Sequence, residues 1–434
     1  MPDDNIGNQM YRWAKDFFPI CRSITGPGVR ETLRNIQNIL PKLKIHSVPS
    51  GTQAFDWTIP NEWAIRDAYI EDESGVKIVD FRDHNLHVVG YSEPVNKWIT
   101  LEELEPHLYS LPEQPDAIPY ITSYYKRRWG FCLSDNDRKS LKPGNYHAVI
   151  DSDLKPGVLN YGELILPGAV NQEVFLSTYI CHPSMANNEL SGPVVTMALV
   201  QWLASLENHR YTYRIVFIPE TIGSIVYLSR NLDHLKKHVI AGFNITCIGD
   251  DRCYSYLPSR DGNTLSDKVA IHVLKHTDPG FKRYSWLDSG SDERQYCAPE
   301  VDLPIATIMR SKYGEYPEYH TSLDDLNLVT PTAMKEGYTA LKKAIEIIEK
   351  NVYLKTTVHG EPQLGKRGLY PTLSTKKSWK QAQTMMNLIS YCDGKRSLLE
   401  IAELIQKPFW DLISIMEKLL DNGLLQVEVN KTEE

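Results

Sequence analysis

The rhythm of polar and apolar positions changes three times along the chain. Residues 8–45 read as helical with a break at Thr25-Gly26-Pro27-Gly28. In VRETLRNIQNIL the apolar residues recur at helical spacing with charges between them. From about 50 to 165 short β-type runs take over: FDWTIP, GVKIVDF, HNLHVVGY, NYHAVID and GVLNYGELIL. Pro, Gly and Asp separate them, which predicts a small β-rich module. Within it, EQPDAIPYITSYYKRRWGFC (113–132) is rich in aromatic and basic residues. It reads as a packed, solvated connection, with a substrate-facing lip as the alternative. From 172 strands and helices alternate. EVFLSTYIC, YRIVFIP, VIAGFNITCIG and LPIATIM predict strands. GPVVTMALVQWLASL, SIVYLSRNLDHLKK, LSDKVAIHVLKH and TPTAMKEGYTALKKAIEIIEKN predict helices. This is the pattern of an α/β fold with a mostly parallel sheet sandwiched by helices. A Gly/Pro-rich linker, GEPQLGKRGLYPT, leads to WKQAQTMMNLISYC, SLLEIAELIQ and PFWDLISIMEKLLDNGLLQVEV. Three helices and a strand predict a winged-helix module. The predicted partition is an α/β domain over 1–50 and 165–352, an inserted β-rich domain over 51–164, and a winged-helix-like domain over 353–434.

Composition narrows the function classes. The 434 residues are 42% hydrophobic and 24% charged, with net charge −8. An acidic chain is a poor coat for nucleic acid, whose phosphates need a basic surface. The winged helix is the one segment that offers a nucleic-acid contact. Residues 355–434 hold 11 Lys and Arg against 10 Asp and Glu, thin for DNA. Domain packing or a contact between copies in a homo-oligomer suits it better. Seven cysteines, none in a CxxC pair, read as free thiols in a reducing compartment. The start, MPDDNIGNQMYRW, has no basic segment followed by an apolar run, and no apolar stretch reaches membrane-span length. A cytoplasmic protein without a membrane partner is expected.

Candidate chemistry collects at predicted strand ends. STYICHPSMANNELSG (177–192) runs from an apolar strand into His182 and a small polar loop. YRIVFIP ends at Glu220, NITCIG leads to Asp250 and Asp251, and LPIATIM leads to SKYGEYPEYHTSLDD with His320. GSDERQY adds Asp292, Glu293 and Arg294. Each residue alone has an ordinary explanation: a His beside Pro is structural, and a carboxylate past a strand caps a helix. Asp324-Asp325 reads as a helix start or a solvated pair. Together they fall at the carboxyl ends of strands, where such sheets bind ligands. Imidazole with carboxylate suits zinc or a similar divalent ion.

These segments resemble the zinc aminopeptidase and glutamate-carboxypeptidase type of metallopeptidase over residues 172–350. The matching pieces are His182, NNELSG (187–192), PETIGS (219–224), IGDD (248–251), GSDERQY (290–296) and EYHTSLDDL (318–326). FDWTIPNEWAIRDAYI (55–70) and GSDERQY resemble a bacterial subfamily described as polysaccharide-biosynthesis proteins with an aminopeptidase-like domain. The resemblance implies zinc, one or two ions, with His182, Asn188, Glu220, Asp250 and His320 as ligand positions. It implies Glu220 as base, with Glu189 or Glu293 in reserve, and a short peptide or amide substrate. Arg294 would meet a substrate carboxylate; Tyr319 or Tyr313 would donate to an oxyanion.

The chain departs from the pattern in four places. His182-Pro183-Ser184 lacks the carboxylate that orients the histidine. The bridging Asp falls at Asn188. One Glu, Glu220, stands where two are expected. The third-strand Asp falls at Thr246 in strict register, with Asp250 as the substitute. One zinc on His182, Glu220 or Asp250, and His320 is easier to support than two. The other reading is a degenerate peptidase fold that binds or regulates through its winged helix.

Overall fold

The computed structural model describes residues 5–369 and 376–428, with the side chains of 376–381 left aside. The end of the Gly/Pro linker and the last residues lie outside this range. Cα packing divides the chain into two units, residues 1–266 with 281–339, and residues 267–280 with 340–434.

The first unit is built on an eight-stranded sheet. Its strands are β1 (Lys44–Pro49), β2 (Val158–Leu166), β3 (Glu173–Tyr179), β4 (Thr212–Ile218), β5 (Val239–Asn244), β6 (Ser255–Leu257), β7 (Lys282–Arg283) and β8 (Ile305–Met309). They lie in the order β1-β2-β4-β3-β5-β8-β6-β7. The centre, β4-β3-β5-β8, is parallel; β2 pairs antiparallel with both β4 and β1, and β6 pairs antiparallel with β8. Every residue of β3 is buried, as a strand covered on both faces requires.

Helices α1 (Ile6–Phe17), α2 (Pro27–Ile39), α3 (Ser191–Ser205) and α4 (Ile222–His238) belong to this unit. The expected helical stretch 8–45 ends earlier than its pattern suggests. Helix α2 stops at Ile39, and β1 begins at Lys44 as an edge strand. The break before α2 has a steric cause. Gly26 has φ 104°, and a Cβ there would sit 2.2 Å from the Trp63 carbonyl oxygen.

The β-rich stretch forms a four-stranded antiparallel sheet, Lys77–Asp80, Glu62–Asp72, Asn145–Lys155 and Val95–Thr100 in that order. GVLNYGELIL, at the end of the same stretch of sequence, supplies β2 of the large sheet instead. Residues 118–122 run across to the loop holding His320. Tyr120 N–H donates to the His320 carbonyl, and Ser322 N–H donates to the Ile118 carbonyl. The segment thus lies over the strand ends, as a lip does.

Helices α5 (Leu265–Thr277) and α6 (Pro331–Lys350) lead into the second unit, which adds α7 (Lys376–Tyr391), α8 (Leu398–Leu404) and α9 (Phe409–Asp421). The strand before the linker, Tyr353–Thr356, lies between Asp393–Ser397 and Leu425–Glu428. Buried His272 of α5 ties this unit together. Its Nδ1 bonds Glu403 at 2.5 Å, and its Nε2 accepts the Phe409 N–H at 2.9 Å. Lys275 donates to the same glutamate at 2.8 Å. Burial lowers the His272 pKa from 6.5 against the opposing pull of Glu403. Below pH 6.5 the unfolded chain binds a proton that folded His272 resists, so the stability of this unit falls as pH drops. Protection of the Phe409 amide from hydrogen exchange, corrected for intrinsic rate, is expected to fall with pH below that point. In His272→Gln the profile is expected to be flat. Constant protection in the wild type would contradict the assignment.

Candidate active site

Strand β3 carries its run of buried apolar residues straight into Cys181 and His182. The chain then turns at Pro183 and Ser184, the latter at φ 44°. It winds through a π-helical turn, Ala186–Leu190, and enters α3. The turn is held from below by Asp324. One carboxylate oxygen accepts the N–H groups of Ala186 (3.1 Å) and Asn187 (2.6 Å). The other accepts Asn188 N–H (2.9 Å) and the Tyr316 hydroxyl (2.8 Å). Asp324 thus satisfies donors that a helix start leaves without partners. It is fully buried, neither a helix start nor a solvated group, because residues 186–188 and Tyr316 deliver four donors to it. Gly192 is required by packing: a Cβ would lie 2.3 Å from the Ile245 carbonyl oxygen.

The turn delivers Glu189 to His182. His182 Nδ1 and Glu189 Oε2 are 2.8 Å apart. A carboxylate only accepts here, so Nδ1 carries a proton and Nε2 is the nitrogen turned toward the site. The orienting carboxylate missing from His182-Pro183-Ser184 is therefore supplied seven residues later. Behind Glu189 stands Arg22, also fully buried, 3.5 Å away. Its Nε donates to the His182 carbonyl at 2.9 Å and its Nη1 to the Phe17 carbonyl at 2.7 Å. One arginine fixes the histidine's backbone and balances the charge of its carboxylate. Removing one member of so buried a pair typically costs about 3–5 kcal/mol.

His182 Nε2 faces Glu220 at 3.5 Å and the ring of His320, whose centroid is 5.4 Å from its own. Burial disfavours a charge on His182, but the hydrogen bond and charge of Glu189, with Glu220 beyond, outweigh it and raise its pKa. Burial and the neighbouring His182 push His320 down to about 3, so it is a neutral imidazole. Its Nε2 is buried without a hydrogen-bond partner among the described residues. Tyr120, from the overlying lip, sets its ring edge against both imidazoles, at 5.3 Å and 5.1 Å. Tyr319 stacks on His320 at 3.9 Å. Both His320 (φ 56°) and Thr221 (φ 59°), the residue after Glu220, hold backbone conformations costly for their types.

Glu220 accepts a hydrogen bond from the Ser291 hydroxyl at 2.5 Å. Burial raises its pKa, in spite of His182. Asp292 stands close by. Its Oδ1 accepts Thr221 N–H (2.7 Å) and the Ser224 hydroxyl (2.8 Å), while Oδ2 is buried without a partner. Burial and the charge of Glu220 hold Asp292 well above the usual carboxylate range. Its carboxylate thus packs against the position where a second glutamate was expected.

The other sequence candidates have different placements. Glu293 is saturated: Gly290 N–H, Ser291 N–H, the Tyr313 hydroxyl and the Asn244 amide all donate to it. It shapes the 290–293 loop, and Tyr313 is committed to it. Asp250 accepts from Ser311 N–H and Oγ, Arg252 N–H and the Asn187 amide, so its oxygens are occupied. The structure does not bring it into the imidazole pair. Asn188 donates to the Tyr179 hydroxyl at 2.8 Å, while its Oδ1 is buried and unpartnered. Thr246 donates to the Asn188 carbonyl at 3.1 Å, where the fold would bring a third-strand carboxylate. Arg294 is exposed and bonds Ser289. Arg22, Asp324, Tyr120 and Tyr124 were not singled out for the site by sequence reasoning. Arg22, a lone cation in the apolar run FFPICRSI, is the one with a visible signal.

Among the described residues, the donors gathered closely enough here to share one ion are Cys181, His182 and Glu189. Glu220 lies 3.5 Å from His182 Nε2, and His320 Nε2 is buried without a partner. The position expected to bridge two ions is an amide, Asn188, and the Asp250 oxygens already accept four hydrogen bonds.

A pair of strand-end imidazoles with carboxylates on a largely parallel sheet defines an aminopeptidase-like α/β protein. The comparisons with known proteins agree. The chain belongs to the family described as domain of unknown function (DUF4910), whose model matches residues 11–351. Residues 351–427 match a winged helix-turn-helix model. A Clostridium acetobutylicum protein is 43% identical over 398 residues, covering 91% of each chain. It is provisionally named a polysaccharide biosynthesis protein with aminopeptidase-like domain. A crystal structure of a provisionally assigned peptidase from the same organism covers 98% of each chain with TM-score 0.93 and 40% identity. The zinc aminopeptidase BSAP from Bacillus subtilis is similar in fold, with TM-score 0.59 and 11% identity over 80% of this chain and 94% of that one. Among the described residues no helix is long and apolar enough to cross a membrane.

Proposed function

We propose that this chain is a zinc-dependent amide hydrolase of aminopeptidase type, working with one metal ion. The observation that carries the reading is the buried imidazole pair. His182 is locked by Glu189 so that Nε2 is free, and His320 Nε2 has no partner, with Glu220 3.5 Å from His182. His182, His320 and the Glu220 side would hold the ion. Bound there, zinc polarises a carbonyl and lowers the pKa of water to about 7. The chain's own residues do the rest. Glu189 and Arg22 fix the imidazole. Ser291 aims Glu220, which takes a proton from water and returns it to the leaving amine. Tyr120 and Tyr319 shield the imidazoles from bulk solvent. Arg294, exposed on the 289–294 loop, serves a carboxylate at the far end of a short peptide.

The winged helix belongs in this reading as a protein-contact module. The exposed positions of α9 include Asp411, Glu417 and Asp421 against Lys418, a poor face for phosphates. All seven cysteines are free, which suits a reducing, cytoplasmic setting.

The test is turnover by the full chain after chelation and reloading with zinc. Hydrolysis of an aminoacyl-4-nitroanilide that disappears on chelation and returns with one equivalent of zinc is expected. Absence of turnover on every substrate, with zinc bound, would end the hydrolase reading.

A further inference from the structure

Beside the imidazole pair lies a cavity of about 200 Å³ that the chemistry above does not use. Three separate segments wall it: Ile24 before α2, Trp57 and Tyr124-Tyr125 from the inserted β-rich stretch, and Ile222 at the start of α4. His182 and Glu220 complete its lining. Tyr125, 62% exposed, sets its ring edge-on to Trp57 at 5.7 Å and makes the rim. Tyr124 ties the wall to the site, since its hydroxyl bonds that of Tyr120 at 2.9 Å. Among the described residues no lysine or arginine lines the cavity, and Glu220 is its one carboxylate.

From this geometry we infer that the cavity is the specificity pocket, and that it selects substrates carrying an uncharged apolar or aromatic side chain beside the scissile amide. The inference rests on the hydrolase reading and names its substrate class. Size supports it: an apolar cavity of about 150 Å³ takes a benzene ring. Charge supports it as well. An acidic side chain seated among Ile24, Trp57, Tyr124 and Tyr125 would find no lysine or arginine to pair it, and desolvating an unpaired carboxylate is costly. Aromatic walls also give a ring edge-to-face partners. Trp57 and Tyr125 both come from the insertion, so the inserted stretch, rather than the α/β scaffold, sets the choice of substrate.

The zinc-loaded full chain is assayed on leucyl-, phenylalanyl-, alanyl- and aspartyl-4-nitroanilide. The expected result is kcat/KM for Leu and Phe at least about tenfold above Ala, with Asp lowest. Trp57→Ala is expected to lose about tenfold on Leu and Phe and little on Ala. Tyr125→Ala, at an exposed position that leaves folding intact, is expected to shift the same ratio in the same direction. Equal rates on Leu and Ala, or variants that lower all four equally, would overturn the pocket while leaving the hydrolase reading standing. If nothing turns over, calorimetry with L-phenylalaninamide and L-alaninamide reads the pocket alone. Preference for phenylalaninamide of about tenfold, lost in Trp57→Ala, sustains it without the reaction. Equal or absent binding overturns it.

Discussion

Alanine at both His182 and His320 is expected to take bound zinc from one equivalent per chain to none. The two imidazoles are the nitrogen donors that the fold brings together, 5.4 Å between ring centroids and tilted by 47°. His320 is neutral at any physiological pH, since burial holds its pKa near 3. His182 presents Nε2 because its Nδ1–H donates to Glu189. With both rings gone, the nearby carboxylates cannot compensate. Glu189 points at Arg22, and Asp250 is saturated by four donors. The measurement is metal content by elemental analysis after zinc dialysis, with circular dichroism to confirm folding. Two equivalents in the wild type would mean that Asn188 serves a binuclear site after all. Unchanged zinc in the double variant would place the ion elsewhere and remove the basis for hydrolysis at this site.

Glu220→Gln is expected to lower kcat by about 100- to 10,000-fold while zinc content stays near one equivalent. Glutamine keeps an oxygen donor and the Ser291 hydrogen bond, but it cannot accept a proton. Burial has already raised the Glu220 pKa toward the working range of a general base. Turnover and metal content, measured together, separate its two duties. Loss of zinc with loss of turnover would make Glu220 chiefly a ligand and pass the proton to Asp292, whose Oδ2 is buried and unpartnered. Undiminished turnover would remove Glu220 from the chemistry.

The legible parts of this protein were those written in local pattern. Period-two and period-3.6 hydrophobicity announced the strand–helix alternation. Strand tips announced His182 and Glu220, because an apolar run that stops at a polar residue marks the edge of the sheet. Three features were illegible for a common reason. The carboxylate that orients His182 seemed absent, since it comes from Glu189, one turn into the following π-helical loop. Asp324 looked like a surface acid, since its four donors lie in other segments. Tyr120 and Trp57 looked like parts of a solvated connection or a β-rich insertion, since nothing local says which cleft they cover.

The sequence by itself determined the α/β class, the winged-helix module and the residues at strand ends, because these depend on side-chain periodicity along a few consecutive residues. Only the tertiary structure decided how those residues are used. Which carboxylate orients a histidine, which is saturated by hydrogen bonds and which is left facing a cavity depend on donors tens to hundreds of residues away. Here Arg22 reaches Glu189, Asp324 reaches residues 186–188, and Tyr120 reaches His182 and His320. Burial then makes each pairing consequential, since a buried polar group without a partner is expensive and a buried imidazole without one is a ready ligand.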